Sequence, residues 1–205
     1  MRRVTTTRRG PGRPAADSAG DTRAALLAAG RATFAERGYA GAGIAEIVAR
    51  VGVSPPVLYH HFAGKADLYL AVAADVYDEV LGALDAAATR TGGGFAERLD
   101  AVLVAAADLN EADPTIAGFA TALPADLRYS AELAPVRDQT ARMRAFFLIL
   151  AEDCRIPPRR RDAVADACAT LIAGLSRAAA GAQTPTEFRR TVESLRLLVK
   201  GQLFG

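Results

Sequence analysis

The chain has 205 residues, 51% of them hydrophobic, with 25 Lys/Arg against 23 Asp/Glu, two cysteines, two histidines and no tryptophan. Such a length holds one medium domain or two small ones; the two isolated cysteines exclude a disulfide scaffold, and two histidines make a Cys/His zinc site hard to build, so neither a metal nor a cofactor is expected. The net charge of +2 conceals an asymmetry: residues 1–70 carry ten basic and five acidic side chains, residues 71–205 fifteen and eighteen, which turns the N-terminal end towards a polyanion.

Residues 1–20, rich in Arg, Thr, Gly and Pro and without apolar periodicity, read as a disordered basic arm. From Asp21, a plausible N-cap, a helix carries Leu26 or Leu27, Gly30 and Phe34 on one face and stops at Gly38. A second, short helix shows the stripe Ile44, Ile47, Val48 and Val51, with Gly43 as a modest cap and Gly52 in the turn that follows. In "SPPVLYHHF" the Ser54 hydroxyl can cap a third helix, which places Pro55 and Pro56 where no intrahelical hydrogen bond is lost. Leu58 and Phe62 then face inward, while Pro55, Pro56, Val57, Tyr59, His60 and His61 turn away.

A long fourth helix starts at Lys65, and "TGGG" ends it as a linker. Helical tracts follow up to Pro114, from "TIAGF" to an interruption at Pro124, from "APVRDQ" to "RIPP", and through the last two segments. The pattern is all-α, about nine helices, without a convincing strand or repeat. No run approaches about 18 uninterrupted apolar residues, and no apolar stretch follows the N-terminal arginines, so a cytoplasmic protein with no membrane partner is expected.

Two short helices joined by a glycine turn, the second exposing aromatic and histidine side chains, describe a helix-turn-helix at about residues 44–62. The stretch from Phe34 to Val72 resembles the DNA-binding domain of the TetR family of transcriptional repressors, through Phe34, Gly38, Tyr39, Ile47, Gly52, Val53, Ser54, Leu58, Tyr59, Phe62, Lys65 and Leu68 at the family's spacing. The likeness covers about residues 23–72 and implies a DNA-binding domain over 21–68, with a ligand-binding and dimerisation domain over 69–205.

The resemblance implies roles for single residues. Tyr59 and Lys65 would hold the DNA backbone, Pro56 and Val57 would meet thymine methyls, and Pro55 would face the bases beside them without a hydrogen-bond donor. His60 would donate to a base or a phosphate, and His61 would do so or support the junction with the fourth helix. Gly43 stands where the family often has a capping threonine, so its backbone amide would take over the phosphate contact. Arg9 and Arg13 of the arm would add contacts in the minor groove or along the phosphates.

The partners implied are a palindromic double-stranded operator, a second copy of the chain, and a small, largely apolar inducer. Phe119, Leu123, Tyr129, Met143, Phe146 and Phe147 would line the inducer's pocket, although core packing explains each of them equally well. Leu171, Ile172, Leu175, Val192, Leu195, Leu198 and Val199, on the last two helices, would build a four-helix dimer interface. A constitutive DNA-binding protein with a solid core is the alternative. An enzyme is not expected, because both histidines sit on the reading helix and no nucleophile adjoins a base. Cys154 and Cys168 read as idle thiols.

Overall fold

Gly38 breaks the first helix, α1 (Ala16–Gly41), with φ 65° and ψ 176°, a conformation that glycine adopts at little cost. The computed structural model describes residues 16–201. After α1 come α2 (Ile44–Val51), α3 (Pro55–His61), α4 (Lys65–Arg90), α5 (Phe95–Ala112), α6 (Pro114–Tyr129), a 3-10 turn (Ala131–Leu133), α7 (Val136–Asp153), α8 (Pro158–Gly181) and α9 (Pro185–Val199). The described residues contain no strand. Helices α3, α6, α8 and α9 all begin on a proline, where a missing amide costs no hydrogen bond and φ is already helical.

The structure corrects four local expectations. Helix α1 starts at Ala16, so Asp21 lies inside it; no proline follows Pro14 to stop the helix extending back. The rest of the arm, with Arg9 and Arg13, lies outside the described residues. Ser54 makes no side-chain cap bond: Pro55 and Pro56 have no amide to offer, and the Val57 N–H donates instead to the Ser54 carbonyl at 3.0 Å. Helix α6 runs through Pro124 without a break, held on both sides of it by buried Phe119, Leu123 and Asp126. Finally, α8 is long and apolar enough to cross a membrane by length and composition, with 28% of that stretch buried. Much of its apolar character is alanine, and it packs on α5, α6 and α7.

Two apolar cores divide the molecule. The first joins α1–α3 and the start of α4 to Ile116, Phe119 and Leu123 of α6. The second joins Leu84 and Ala88 of α4 to α5, α7, α8 and α9. Val80 packs against both, so α4 is the beam that carries one core into the other. Between α1 and α6 the approach is tight at Gly118, where a Cβ would stand 2.9 Å from that of Ala35. Only glycine fits there.

Candidate nucleic-acid interface

Helices α2 and α3 meet across buried Ile47, Val48 and Leu58. Gly52 turns the chain between them in the left-handed region (φ 76°), its N–H donating to Ala49 O and that of Val53 to Val48 O at 3.1 Å. Val48 is only 4% exposed, so the residue at this place is accommodated inside the seam. Phe62 ends α3, its N–H donating to Leu58 O at 2.9 Å, and its ring is buried.

Among the described residues nothing covers the opposite face of α3. Pro55, Pro56, Tyr59 and His60 are exposed, Tyr59 by 55%, whereas Val57 and His61 are half-buried. The His60 and His61 rings meet edge to face at 5.2 Å, and the Arg23 guanidinium lies 5.3 Å from the Phe62 ring centroid. Gly43 is exposed at the start of α2. A short helix with a wet face of proline, valine, tyrosine and histidine and a dry edge of Leu58 has the shape of a reading helix.

Lys65 departs from expectation. Its Nζ donates to the carbonyls of Tyr39 at 2.8 Å and Ala42 at 3.1 Å and sits 4.5 Å from the Tyr39 ring centroid. It closes the carbonyls left open after the Gly38 break. Lys65 is therefore an internal clamp, with two of its three N–H donors already committed.

Other cations of this unit are also committed. Arg37 pairs with Glu46 at 2.9 Å, Arg50 with Glu36 and Glu46, and Arg31 with Glu79 at 2.8 Å and with Asp113. The Arg50 pairing holds the Glu36 carboxyl below its usual range. Residues 16–70 hold five basic and five acidic side chains, so the whole positive excess belongs to the five arginines of residues 1–15. That neutrality was countable in the sequence, but the pairing was not.

Asp126, on α6, ties this unit to the rest. It is 9% exposed; Oδ1 accepts from the Tyr39 N–H at 2.8 Å and Oδ2 from the Tyr69 hydroxyl at 2.9 Å. Burial and the Asp126 charge push the Tyr69 hydroxyl far up, and burial with Glu132 pushes Tyr39 to about 12. No sequence pattern marked Asp126.

An apolar cavity of about 260 Å³ lies between α4, α6, α7 and α8. Phe119, Leu123 and Met143 line it, together with Tyr77, Leu127 and Ser176, which sequence reading missed. Burial raises the Tyr77 hydroxyl to about 12, and among the described residues no charged side chain lines the cavity. Three expected lining residues lie elsewhere. Tyr129 is 80% exposed, Phe147 is fully buried in the second core, and Phe146 packs against that core.

The expected interface also divides. Ile172, Leu175 and Val192 are buried in the protomer's own core, and Ile172 lines the cavity. Leu171, Leu195 and Val199 are half-buried and pack against the edge of that core, and Leu198 is 52% exposed. Among the described residues no group of three His, Cys, Asp or Glu side chains is placed to hold a metal.

Residues 26–72 match the family model of bacterial regulatory proteins of the tetR family. The HTH-type transcriptional activator FasR of Mycolicibacterium smegmatis is 40% identical over 116 residues, a match covering 53% of this chain and 52% of that protein. The chain thus spans about half the length of this curated relative in the match. Among solved structures, a TetR transcriptional regulator from Legionella pneumophila superposes with a TM-score of 0.72 at 16% identity, over 86% of this chain and 94% of that one. A transcriptional regulator from Rhodococcus sp. gives 0.70 at 23%, over 87% and 96%.

Proposed function

We propose that this chain, whose residues 26–72 match the family model of bacterial regulatory proteins of the tetR family and whose fold is shared with the Legionella pneumophila regulator, is a cytoplasmic, homodimeric, DNA-binding transcriptional regulator. The observation that carries this reading is the face of α3 on which Pro55, Pro56, Tyr59 and His60 are exposed and Val57 half-exposed, with Leu58 buried behind them. Val57 and the prolines suit thymine methyls, Tyr59 a phosphate, and His60 a base acceptor or a phosphate. The Gly43 amide at the start of α2 and the arm arginines, Arg9 and Arg13 among them, add phosphate contacts.

Leu171, Leu195, Leu198 and Val199 join two copies, and the two α3 helices enter successive major grooves about 34 Å apart. A small, neutral, largely apolar ligand fits the cavity around Phe119, Leu123 and Met143, whose walls carry no charge. Leu123 and Asp126 stand on the same helix, so a ligand that displaces α6 also loads the Asp126 contact with α1. Such a ligand releases the operator to the extent that it favours the arrangement in which the reading helices no longer match the grooves. Occupancy of a promoter then represses; an activating role is the second reading, favoured by the name of the Mycolicibacterium smegmatis relative.

Fluorescence anisotropy with duplex DNA from upstream of the protein's own gene tests the reading. Saturable binding of a dimer to one palindromic site supports it. Binding no tighter than to shuffled duplex of the same length rejects it.

A further inference from the structure

We infer that the cleft between α1, the α5–α6 junction and the α8–α9 turn is a second ligand site, and that it takes a small organic ammonium ion with an apolar body. The cleft measures about 610 Å³ and is walled by Ala35, Ala117, Ala179 and Phe188, with Asn110 and Glu111 also lining it. It is separate from the apolar cavity described above; the two share no lining residue.

Two buried acceptors make it more than a gap between small side chains. Asn110 is 6% exposed, and its Nδ2 donates to Ala106 O at 2.8 Å, which fixes the orientation of the amide. Its Oδ1 is left buried without a partner. The next residue, Glu111, uses only Oε2, which accepts from Arg189 at 2.5 Å; its Oε1 is also buried and unpartnered. Buried acceptors left unmade are rare and costly. A ligand rich in N–H donors completes both.

Charge selects among such ligands. Among the described residues no lysine or arginine lines the cleft, whereas Glu111 does, as does Glu36, which Arg50 pairs from outside it. Arg189 is shared between Glu111 and Asp108, at 3.4 Å from the latter, so one guanidinium faces two carboxylates. A positive nitrogen lowers that excess and an anion adds to it. The apolar walls take the carbon body, and at about 610 Å³ the cleft has room for a phenyl or short alkyl group. Because Ala35 and Gly118 both line it, an occupant lies against the contact between α1 and α6.

Isothermal titration of the full-length protein with phenethylammonium chloride tests the site without DNA, and so independently of the regulatory reading. We expect saturable binding of one ion per chain, at least tenfold weaker for 2-phenylethanol, which lacks the ammonium. Asn110→Leu and Glu111→Gln should each weaken it tenfold or more. Asn110→Leu removes an orphaned acceptor, so it keeps its fold even if Glu111→Gln does not, and melting curves check both. Met143→Trp, which fills the other cavity, should bind as the parent does. The site is overturned by absence of saturable binding, by equal binding of the alcohol, by Asn110→Leu binding like the parent, or by loss of binding in Met143→Trp.

Discussion

The buried carboxylate of Asp126 accepts a hydrogen bond from the backbone N–H of Tyr39, 2.8 Å away and 87 residues earlier in the chain. The bond falls one residue after the Gly38 break, where a Cβ on Gly38 would stand 3.1 Å from the same Oδ1. A single side chain of α6 thus holds the end of α1 and, through the Tyr69 hydroxyl, the start of α4.

Asp126→Ala should leave two buried donors unmade and cost about 3 kcal/mol. Urea denaturation measures this. Asp126→Asn, which keeps an acceptor for Tyr39, should lose less than half as much. Equal losses would mean that charge and not the shared acceptor matters here.

Lys65→Met and removal of residues 2–14 should separate fold from grip. The first loses the Tyr39 and Ala42 carbonyl bonds, lowering stability by about 1–3 kcal/mol, yet leaves the salt dependence of DNA binding unchanged. The second removes five arginines and should flatten the salt slope by about 0.9 for each phosphate no longer neutralised, with the melting temperature unaltered. A flattened slope for Lys65→Met would restore that residue to the DNA-binding surface.

Val57→Ser should reduce discrimination for thymine at one position of each half-site by about 1 kcal/mol. Uracil in place of the contacted thymine should reproduce this in the parent protein and add nothing in the variant. Equal uracil effects in both would remove position 57 from the methyl contact. The comparison is read by anisotropy at fixed salt.

Cys168 is buried, and burial lifts its thiol to about 11. The unfolded chain releases that proton near the ordinary thiol value, the native state only near 11. Between the two the native state holds more protons, so this thiol makes stability fall as pH rises from about 9 to 11, by about 3 kcal/mol in all. Cys168→Ala should soften that decline in alkaline denaturation curves. In the native protein at pH 8 a disulfide reagent should modify Cys154 well before Cys168; equal rates would contradict the burial.

What could be read from the sequence follows the range of the interactions. The Gly52 turn, the Pro55–Pro56 helix start and the Leu58 and Phe62 seam depend on neighbours within a few residues, and their spacing shows in the chain. Lys65 could not be placed that way, because its partners lie 26 and 23 residues away. Phe119, Leu123 and Met143 were legible as large apolar groups on central helices. Phe146 and Phe147 carry the same chemistry, but α7 turns them towards the second core. Ile172 and Leu175 belong to an apolar stripe that suits a partner or a core equally well, and only the packing of α8 on its neighbours decides between them.

At Gly118 and Ala35 two helices meet with almost nothing between them. Elsewhere a displaced helix can be absorbed by rotamer changes in the side chains it presses on. This joint has no such cushion, so it works as a fulcrum: a tilt of α6 must be passed to α1 as rotation or resisted outright. Any larger residue at 118 would act as a permanent wedge, fixing the lever at one angle whether or not anything is bound.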